Sequence, residues 1–293
     1  MQQNRSPHLF ATKKIKPIIS VSRRTDIPAY YGSEFMKSIQ KNYIEVKNPF
    51  NQRISIVSLK EEDIGAFVFW SKNFKPFLKH LEIINDLYQG RFVFHFTVNN
   101  FKGKAKSILE PNIPPAEEMV DILIYLSENY GKEKVFLRFD PIIFSTLTPP
   151  EERLNAFGEI IQKTGKYIRR CYTSFIDIYS KVEKKLRRIE LLSPIKFLIP
   201  KPEEQISFLK EMKAIVSQYG IDLFTCCEEE IGSIAGVKKG HCVDAKLLEQ
   251  LFPDVDFTDE IRPTRKGCGC YYSIDIGEYN TCKSKCLYCY ANR

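Results

Sequence analysis

Short apolar runs alternate with helix-length segments along most of the chain, and this alternation limits its fold more than any other feature. Each run is almost continuously apolar or aromatic, which is typical of a strand covered on both faces of a parallel sheet. The intervening segments are long enough for helices that cross over between strands. The predicted main strands are residues 17–21, 66–70, 91–98, 134–139, 168–174 and 222–226, and the predicted helices are residues 33–41, 76–88, 116–130, 150–164, 181–191 and 202–219.

These strand–helix units predict an α/β fold, and their number favours a partial (βα)6 TIM-like barrel. A doubly wound open sheet is the alternative, although no glycine-rich nucleotide fingerprint follows the first strand. Residues 43–46 and 53–58 add a short inserted ribbon, and from residue 226 onward glycines and cysteines become frequent around one predicted helix, residues 244–252. We therefore expect a single globular unit, with a barrel over residues 1–225 and a cysteine-rich segment over residues 226–293 packed on the barrel mouth.

The composition of the 293-residue chain excludes some classes of protein. No apolar stretch reaches the roughly 18 residues that a membrane span requires, and the N-terminal region lacks the apolar core of a signal peptide. We therefore expect a soluble, cytoplasmic protein without a membrane partner. The net charge of +8 would allow a nucleic-acid partner, but the lysines are scattered and no basic block with interleaved aromatic residues supports one.

Nine cysteines are present, and all except Cys171 lie in the final third of the chain. Without a secretion signal, metal binding or redox chemistry explains this concentration better than disulfides do. The closing motif Cys282-Lys-Ser-Lys-Cys286-Leu-Tyr288-Cys289 offers three thiolates that can hold a 4Fe–4S cluster and leave one iron without a protein ligand. Structural zinc normally takes four protein ligands and fits this spacing poorly.

The closing motif resembles the CxxxCxΦC signature of the radical S-adenosylmethionine superfamily, with Tyr288 as the aromatic residue before the last cysteine. The resemblance implies an enzyme whose open iron binds S-adenosyl-L-methionine and whose reductive cleavage of it produces a hydrogen-abstracting radical. It also implies an electron donor such as a ferredoxin or flavodoxin. In the superfamily the motif follows the first strand, so its position here implies a circular permutation in which residues 271–276 form the preceding strand. No GGE sequence follows the second strand, and the usual contact to the methionine amino group is unassigned.

Nearly the whole chain also resembles a prokaryotic family of unknown function. Because the terminal cysteines of that family are themselves likened to the radical enzymes, the resemblance implies the cluster but no substrate. The shared segments are SRRTDIPAYY at residues 22–31, NPF at 48–50, FWSKN at 69–73, RFDPI at 138–142, CxE at 227–229 (or, alternatively, 226–228) and DIGEYNTCKSKCLYCYAN at 275–292.

A second group of cysteines lies upstream of the closing motif. Cys268 and Cys270 closely follow one another, and Cys242 and the adjacent pair Cys226 and Cys227 precede them. The set Cys227, Cys242, Cys268 and Cys270, with Cys226 as the alternative to Cys227, would supply four thiolates to a second 4Fe–4S cluster or a zinc ion. Otherwise, Cys226 and Cys227 are small apolar residues that end a buried strand.

Polar residues follow nearly every predicted strand, where parallel βα folds place their active sites. We predict catalytic contacts to substrate for Arg24, Asp26, Arg138 and Asp140, because buried charges must be paired or used. The same reasoning predicts cofactor contacts for Lys72, Asp177 and Glu228. The alternatives are an Arg24–Asp26 ion pair that only shapes its loop, and a turn or cap role for Asp140.

The sequence thus predicts a radical S-adenosylmethionine-like enzyme with a 4Fe–4S cluster and an unknown substrate. The alternative is a zinc- or iron–sulfur-stabilised protein that binds nucleic acid or transfers electrons. Iron in the anaerobically purified protein separates the first hypothesis from a zinc protein, and cleavage of S-adenosylmethionine separates it from an electron carrier.

Overall fold

The computed structural model describes residues 15–292 and shows a mixed α/β fold around one central sheet. The first 14 residues, on which most of the signal-peptide prediction rests, lie outside the described part. The strands are β1 (Ile18–Val21), β2 (Tyr43–Lys47), β3 (Ile54–Ser58), β4 (Ala66–Ser71), β5 (Phe92–Thr97), β6 (Val135–Ile142), β7 (Phe144–Ser145), β8 (Arg170–Phe175), β9 (Phe197–Leu198), β10 (Asp222–Thr225), β11 (Lys238–Lys239) and β12 (Ile274–Asp275).

The helices connect the strands of the sheet along the chain. They are α1 (Ile27–Tyr30), α2 (Gly32–Lys41), α3 (Leu78–Leu87), α4 (Gly103–Leu109), α5 (Ala116–Tyr130), α6 (Pro150–Thr164), α7 (Ser180–Leu192), α8 (Pro202–Ser217), α9 (Glu229–Ala235) and α10 (Ala245–Leu251), with short 3-10 helices at Glu61–Asp63 and Lys75–Phe77. None of the helices in residues 15–292 combines the length and apolar character needed to cross a membrane.

The central sheet contains eight parallel strands in the order β11-β10-β8-β6-β5-β4-β1-β12. From β1 to β11, each new strand of this sheet lies on the same side of the strand before it. In a doubly wound sheet, by contrast, the direction in which strands are added reverses at a switch point. The last strand, β12, pairs with the opposite side of β1, where Ile274 is aligned with Ile19. No pairing between the edge strands β11 and β12 closes the sheet within residues 15–292. The predicted α/β class with a parallel sheet is therefore confirmed, but no closed barrel is formed.

Both faces of the sheet are buried, which explains why its strands are apolar almost throughout. On one face, Phe67, Phe69 and Phe94 belong to a large core with the apolar sides of α2, α3, α5, α6 and α8. On the other face, Val68 and Phe136 pack with α10 and its flanking residues, from Val243 to Phe257. Part of the cysteine-rich segment thus belongs to the core, because it packs on this face with residues of β1, β4, β5, β6, β8 and β10.

Two antiparallel ribbons flank the sheet. β2 and β3 form the predicted one, in which Tyr43 lies opposite Ser58. β7 and β9 form a second, in which Phe144 lies opposite Leu198. The sequence did not predict this second ribbon because each of its strands is only two residues long.

Candidate functional site

The ends of the parallel strands bring the predicted functional residues to one edge of the sheet, which we call the carboxyl edge. Both groups of cysteines reach this edge, because Cys226 directly follows β10 and the closing motif follows β12. The predicted polar residues lie there as well: Arg24 and Asp26 after β1, Lys72 after β4, Arg138 and Asp140 within β6, Asp177 after β8 and Glu228 after β10.

Asp275 of β12 anchors the closing segment to the sheet. Its carboxylate accepts hydrogen bonds from Ser20 Oγ at 2.9 Å, from the Ser22 hydroxyl, and from the backbone N–H of Arg23 at 2.9 Å. The Nε atoms of Arg23 and Arg24 lie 3.7 and 3.8 Å from its oxygens. Arg24 thus faces Asp275. The alternative prediction of an ion pair between Arg24 and Asp26 is wrong. Asp275 was not predicted as a site residue from the sequence. It could have been, because it is a carboxylate at the end of a short strand, as Asp140 is.

Asp26 is a buried acceptor that joins the loop after β1 to the end of β4. Its carboxylate accepts hydrogen bonds from the N–H of Ala29 at 3.0 Å, from the N–H of Lys72 at 3.0 Å and from Ser71 Oγ at 2.7 Å. Burial raises the pKa of Asp26 to about 6, although these donors oppose the shift. With three donors in place, Asp26 positions Lys72 and caps α1.

The loop that carries the closing motif is held between the helices α4 and α7. The N–H of Leu287 donates to the carbonyl oxygen of Leu109, the last residue of α4, at 3.0 Å. On the other side, Lys185 of α7 places its Nζ 3.3 Å from the carbonyl oxygen of Cys289 and 3.1 Å from that of Asn292. These backbone contacts fix the loop in place whatever its thiols bind.

A buried network joins the closing motif to the carboxyl edge. Lys72 Nζ lies 2.8 Å from Glu110 Oε1, and the Tyr288 hydroxyl donates to the same oxygen. Asn99 Nδ2 lies 3.0 Å from that oxygen and 3.1 Å from the Tyr288 hydroxyl. Burial alone would raise the pKa of Glu110, but Lys72 holds it below its ordinary value. Cys286 is 7% exposed, and this burial raises the pKa of its thiol. The nearby Lys72 ammonium opposes the rise.

Removing the cation from this network should be costly. We expect Lys72→Met to lower the free energy of unfolding by about 3 kcal/mol, because it leaves the Glu110 carboxylate buried without its partner. The double variant Lys72→Met/Glu110→Gln should recover most of the loss. Lys75→Met is the matched control, since Lys75 is 64% exposed beside Glu118 and should change stability by less than about 0.5 kcal/mol. Urea unfolding measures all three, and equal losses for Lys72→Met and Lys75→Met would contradict the assignment.

Arg138 and Asp140 form an ion pair at the end of β6. Arg138 Nη2 lies 2.5 Å from Asp140 Oδ2, and the Ser174 hydroxyl donates to the other carboxylate oxygen. The backbone N–H of Asp140 donates to Asn99 Oδ1 at 2.8 Å. Arg138 is 7% exposed, and its Nη1 also lies 3.2 Å from Cys242 Sγ. The pair therefore links the centre of the carboxyl edge to the second group of cysteines.

The second group brings together all five upstream cysteines of the final third of the chain. Cys226 Sγ lies 2.8 Å from Cys242 Sγ. The neighbouring thiols of Cys226 and Cys270 lower the pKa of Cys242, and those of Cys227 and Cys270 lower the pKa of Cys268. The thiols thus form a row in the order Cys226, Cys242, Cys270, Cys268, Cys227, which we call the thiol row.

Asp177 and Glu228 lie beside the thiol row. Asp177 forms an ion pair with Arg265, whose Nε lies 2.9 Å from Cys227 Sγ. Glu228 Oε1 accepts a hydrogen bond from the N–H of Phe175 at 2.6 Å, and burial raises the pKa of Glu228 to about 8. Its other oxygen has no hydrogen-bond partner within residues 15–292.

Arg23 lies between the two groups of cysteines. Its carbonyl oxygen accepts a hydrogen bond from the hydroxyl of Tyr290, next to Cys289, at 2.9 Å. Its guanidinium lies 5.7 Å from the ring centre of Trp70 and close enough to Cys270 that a thiolate there would raise the pKa of Arg23 against the effect of burial. From the sequence, Arg23 follows the first strand, where it could bind a carboxylate or phosphate together with Arg24.

The cysteines are free thiols, and no metal-binding geometry is formed in the described part of the chain. No group of three or more His, Cys, Asp or Glu side chains in residues 15–292 is arranged so that it could hold a metal ion. The cysteines do offer the soft donors that iron–sulfur clusters and zinc prefer.

A parallel α/β fold with two groups of cysteines at its carboxyl edge defines the class of this protein. Residues 18–291 match a family model described as "Domain of unknown function (DUF1848)", and the chain belongs to that family. No curated protein matches the chain.

Proposed function

We propose that this protein is a radical S-adenosylmethionine-type enzyme, built on a circularly permuted, open (βα) barrel. The observation that carries the proposal is the position of β12, which pairs in parallel with β1 and is followed within a few residues by Cys282. The closing motif therefore leaves the carboxyl edge beside β1, although it lies at the other end of the sequence.

The strand order supports the permutation. With β12 counted first, the sheet reads β12, β1, β4, β5, β6, β8, β10, β11 from one edge to the other. A cysteine loop that follows the first strand of such an array has the order that the superfamily resemblance implies. Permutation changes where the chain begins and leaves the arrangement of strands and loops intact.

The residues of the closing motif fit an iron–sulfur cluster by their chemistry. Cys282, Cys286 and Cys289 would be its three protein ligands. The Lys72 ammonium, which already opposes the rise in the pKa of Cys286, would balance part of the negative charge of the thiolates. The bound cluster would supply an electron and an iron site for S-adenosyl-L-methionine. Tyr288, fixed through Glu110, would hold the loop in register with the carboxyl edge.

The remaining polar residues would bind and orient the ligands. Arg138 and Asp140 line the middle of the carboxyl edge and would contact substrate, with the Ser174 hydroxyl keeping the carboxylate oriented. Arg24 would contact a carboxylate, because its side chain is 24% exposed and meets Asp275 only at 3.8 Å. Asp26 would act indirectly through Lys72, since its carboxylate already has its donors. An electron donor such as a ferredoxin or flavodoxin would supply the reducing electron.

The test is an anaerobic cleavage assay. We expect brown protein with about four irons per chain, which forms 5′-deoxyadenosine from S-adenosylmethionine after reduction by dithionite or by a reduced flavodoxin. A brown protein that forms none of this product would be an electron carrier, and a colourless protein with zinc and no iron would be a zinc protein. Either result would refute the proposal.

A further inference from the structure

Cys226 and Cys242 bring two sulfur atoms into contact from separate parts of the chain. Cys226 follows β10 and Cys242 follows β11, and their Sγ atoms lie 2.8 Å apart. Both residues are free thiols. Because a disulfide has an S–S bond of about 2.05 Å, the two sulfurs need to approach one another by less than about 1 Å to form one.

The backbone holds the two cysteines next to each other. The N–H of Gly240 donates to the carbonyl oxygen of Thr225, the residue before Cys226, at 2.8 Å. A Cβ on Gly240 would lie 2.8 Å from the same oxygen, so a larger residue there would push the two segments apart. His95 Nε2 donates to the carbonyl oxygen of Cys242 at 2.6 Å. The contact between the sulfurs therefore rests on backbone that is fixed on both sides.

One arginine faces both sulfurs. Arg138 Nη1 lies 3.2 Å from Cys242 Sγ, and Arg138 Nη2 lies 3.9 Å from Cys226 Sγ. A cysteine attacks as the thiolate, and a neighbouring guanidinium stabilises a thiolate through charge-assisted hydrogen bonds. Because Arg138 lies nearer to Cys242, it favours Cys242 as the attacking sulfur.

The two thiols also differ in their access to solvent. Cys242 is partly exposed, whereas Cys226 is 5% exposed. A small oxidant therefore reaches Cys242 first, and Cys226 is in contact with the sulfur that becomes oxidised. A reactive, accessible cysteine beside a second cysteine that resolves it is typical of redox-active thiol sites.

We propose that Cys226 and Cys242 form a reversible disulfide, with a peroxide as the oxidant and a small dithiol as the reductant. Cys242 attacks one oxygen of hydrogen peroxide, the O–O bond breaks, and the other oxygen leaves as hydroxide, which takes up the proton that Cys242 lost. Cys226 then attacks the sulfur of the resulting sulfenic acid, the S–O bond breaks, and a second water leaves with the proton of the Cys226 thiol. The two thiols lose two electrons in all, and the peroxide gains them.

The test uses the full chain with Cys282→Ala, Cys286→Ala and Cys289→Ala, so that its outcome does not depend on the proposed enzyme activity. Hydrogen peroxide should remove about two thiols per chain from this triple variant and lower its mass by about 2 Da. Peptide mapping should find Cys226 linked to Cys242, and excess dithiothreitol should restore both thiols. The wild-type chain should give the same linked peptides, which decides the question if the triple variant does not fold.

Single substitutions in the triple variant assign the two roles. In Cys226→Ser, oxidation of Cys242 should stop at the sulfenic acid, which dimedone traps. In Cys242→Ser, neither a disulfide nor a trapped sulfenic acid should form at Cys226. Cys227→Ser and the core control Cys171→Ser should still form the disulfide between Cys226 and Cys242. If Cys226→Ser fails to fold, Cys227→Ser still identifies the partner of Cys242, because it leaves a single cysteine directly after β10.

Three results would overturn the proposal. The first is a folded protein whose thiols are unchanged by peroxide. The second is a main product in which Cys242 is linked to a cysteine other than Cys226. The third is a triple variant that retains zinc or iron on these thiols and forms no disulfide.

Discussion

Replacing Cys286 by alanine should remove the iron of the closing motif and abolish cleavage of S-adenosylmethionine. A cuboidal cluster with three protein ligands cannot lose one without losing its hold on the chain, and Cys286 is the most buried of the three. We expect iron to fall from about four per chain to less than one, and formation of 5′-deoxyadenosine to fall by at least about 100-fold. Iron and sulfide analysis, the visible absorption of the anaerobic protein and product analysis measure the effect.

Cys171→Ala is the matched control for this experiment. Cys171 lies in the main apolar core, fully buried in β8 and outside both groups of cysteines. Its loss should cost about 1 kcal/mol of stability and leave iron and product formation unchanged. Full iron and full activity in Cys286→Ala would show that the closing motif holds no cluster. Equal loss of iron in both variants would show a general effect on folding.

Two of the longer helices, α5 and α6, were predictable to the residue from local signals. Residues 116–130 and 150–164 were predicted as helices, and α5 and α6 have these bounds. Pro115 precedes the first helix and Gly131 follows it, while α6 begins at Pro150 and is followed by Gly165. Proline at a helix start and glycine just beyond its end are strong boundary signals.

The elements that the sequence did not predict depend on contacts between distant residues. α4 and α9 are seven residues long and bury only two residues each, so no apolar pattern stands out, whereas α10, equally short, buries three and was predicted. The position of residues 243–257 on one face of the sheet also could not be read locally. It depends on Val243 and Phe257 meeting residues such as Val68 and Phe136, which lie far away in sequence.

The candidate site was predictable in its residue types but not in its pairings. Arg24, Asp26 and Lys72 each follow a predicted strand. Because parallel strands end at the same edge of a sheet, the sequence predicted that these residues lie at one edge. The ion pair considered as an alternative joined Arg24 to Asp26, a near neighbour in sequence, whereas the carboxylate that Arg24 meets belongs to Asp275, about 250 residues away. Only the return of the chain beside β1 brings these two residues together.

Replacing Asp275 by alanine should release the closing segment from the sheet. The carboxylate is 7% exposed, and its loss leaves the Ser20 and Ser22 hydroxyls, the Arg23 N–H and two guanidinium groups without their shared acceptor. We expect a loss of about 3–5 kcal/mol in the free energy of unfolding. Because β12 contributes only two residues to the sheet, much of that loss should appear as local opening of the segment after β11.

Hydrogen exchange separates this local opening from global unfolding. The N–H of Ile276 donates to the carbonyl oxygen of Ser20 at 3.1 Å. In Asp275→Ala, this N–H and that of Leu287 should lose protection against hydrogen exchange, whereas the amides of β5 and β6 should keep their protection. Iron bound by the closing motif should fall in parallel, since its loop is held partly through β12. Asp254→Ala is the matched control, because that carboxylate is 63% exposed and only approaches Arg91 at 3.8 Å, so we expect less than about 0.5 kcal/mol. Unchanged protection at Ile276 in Asp275→Ala would show that β12 is held by its backbone pairing alone, and that Asp275 has another role at the carboxyl edge.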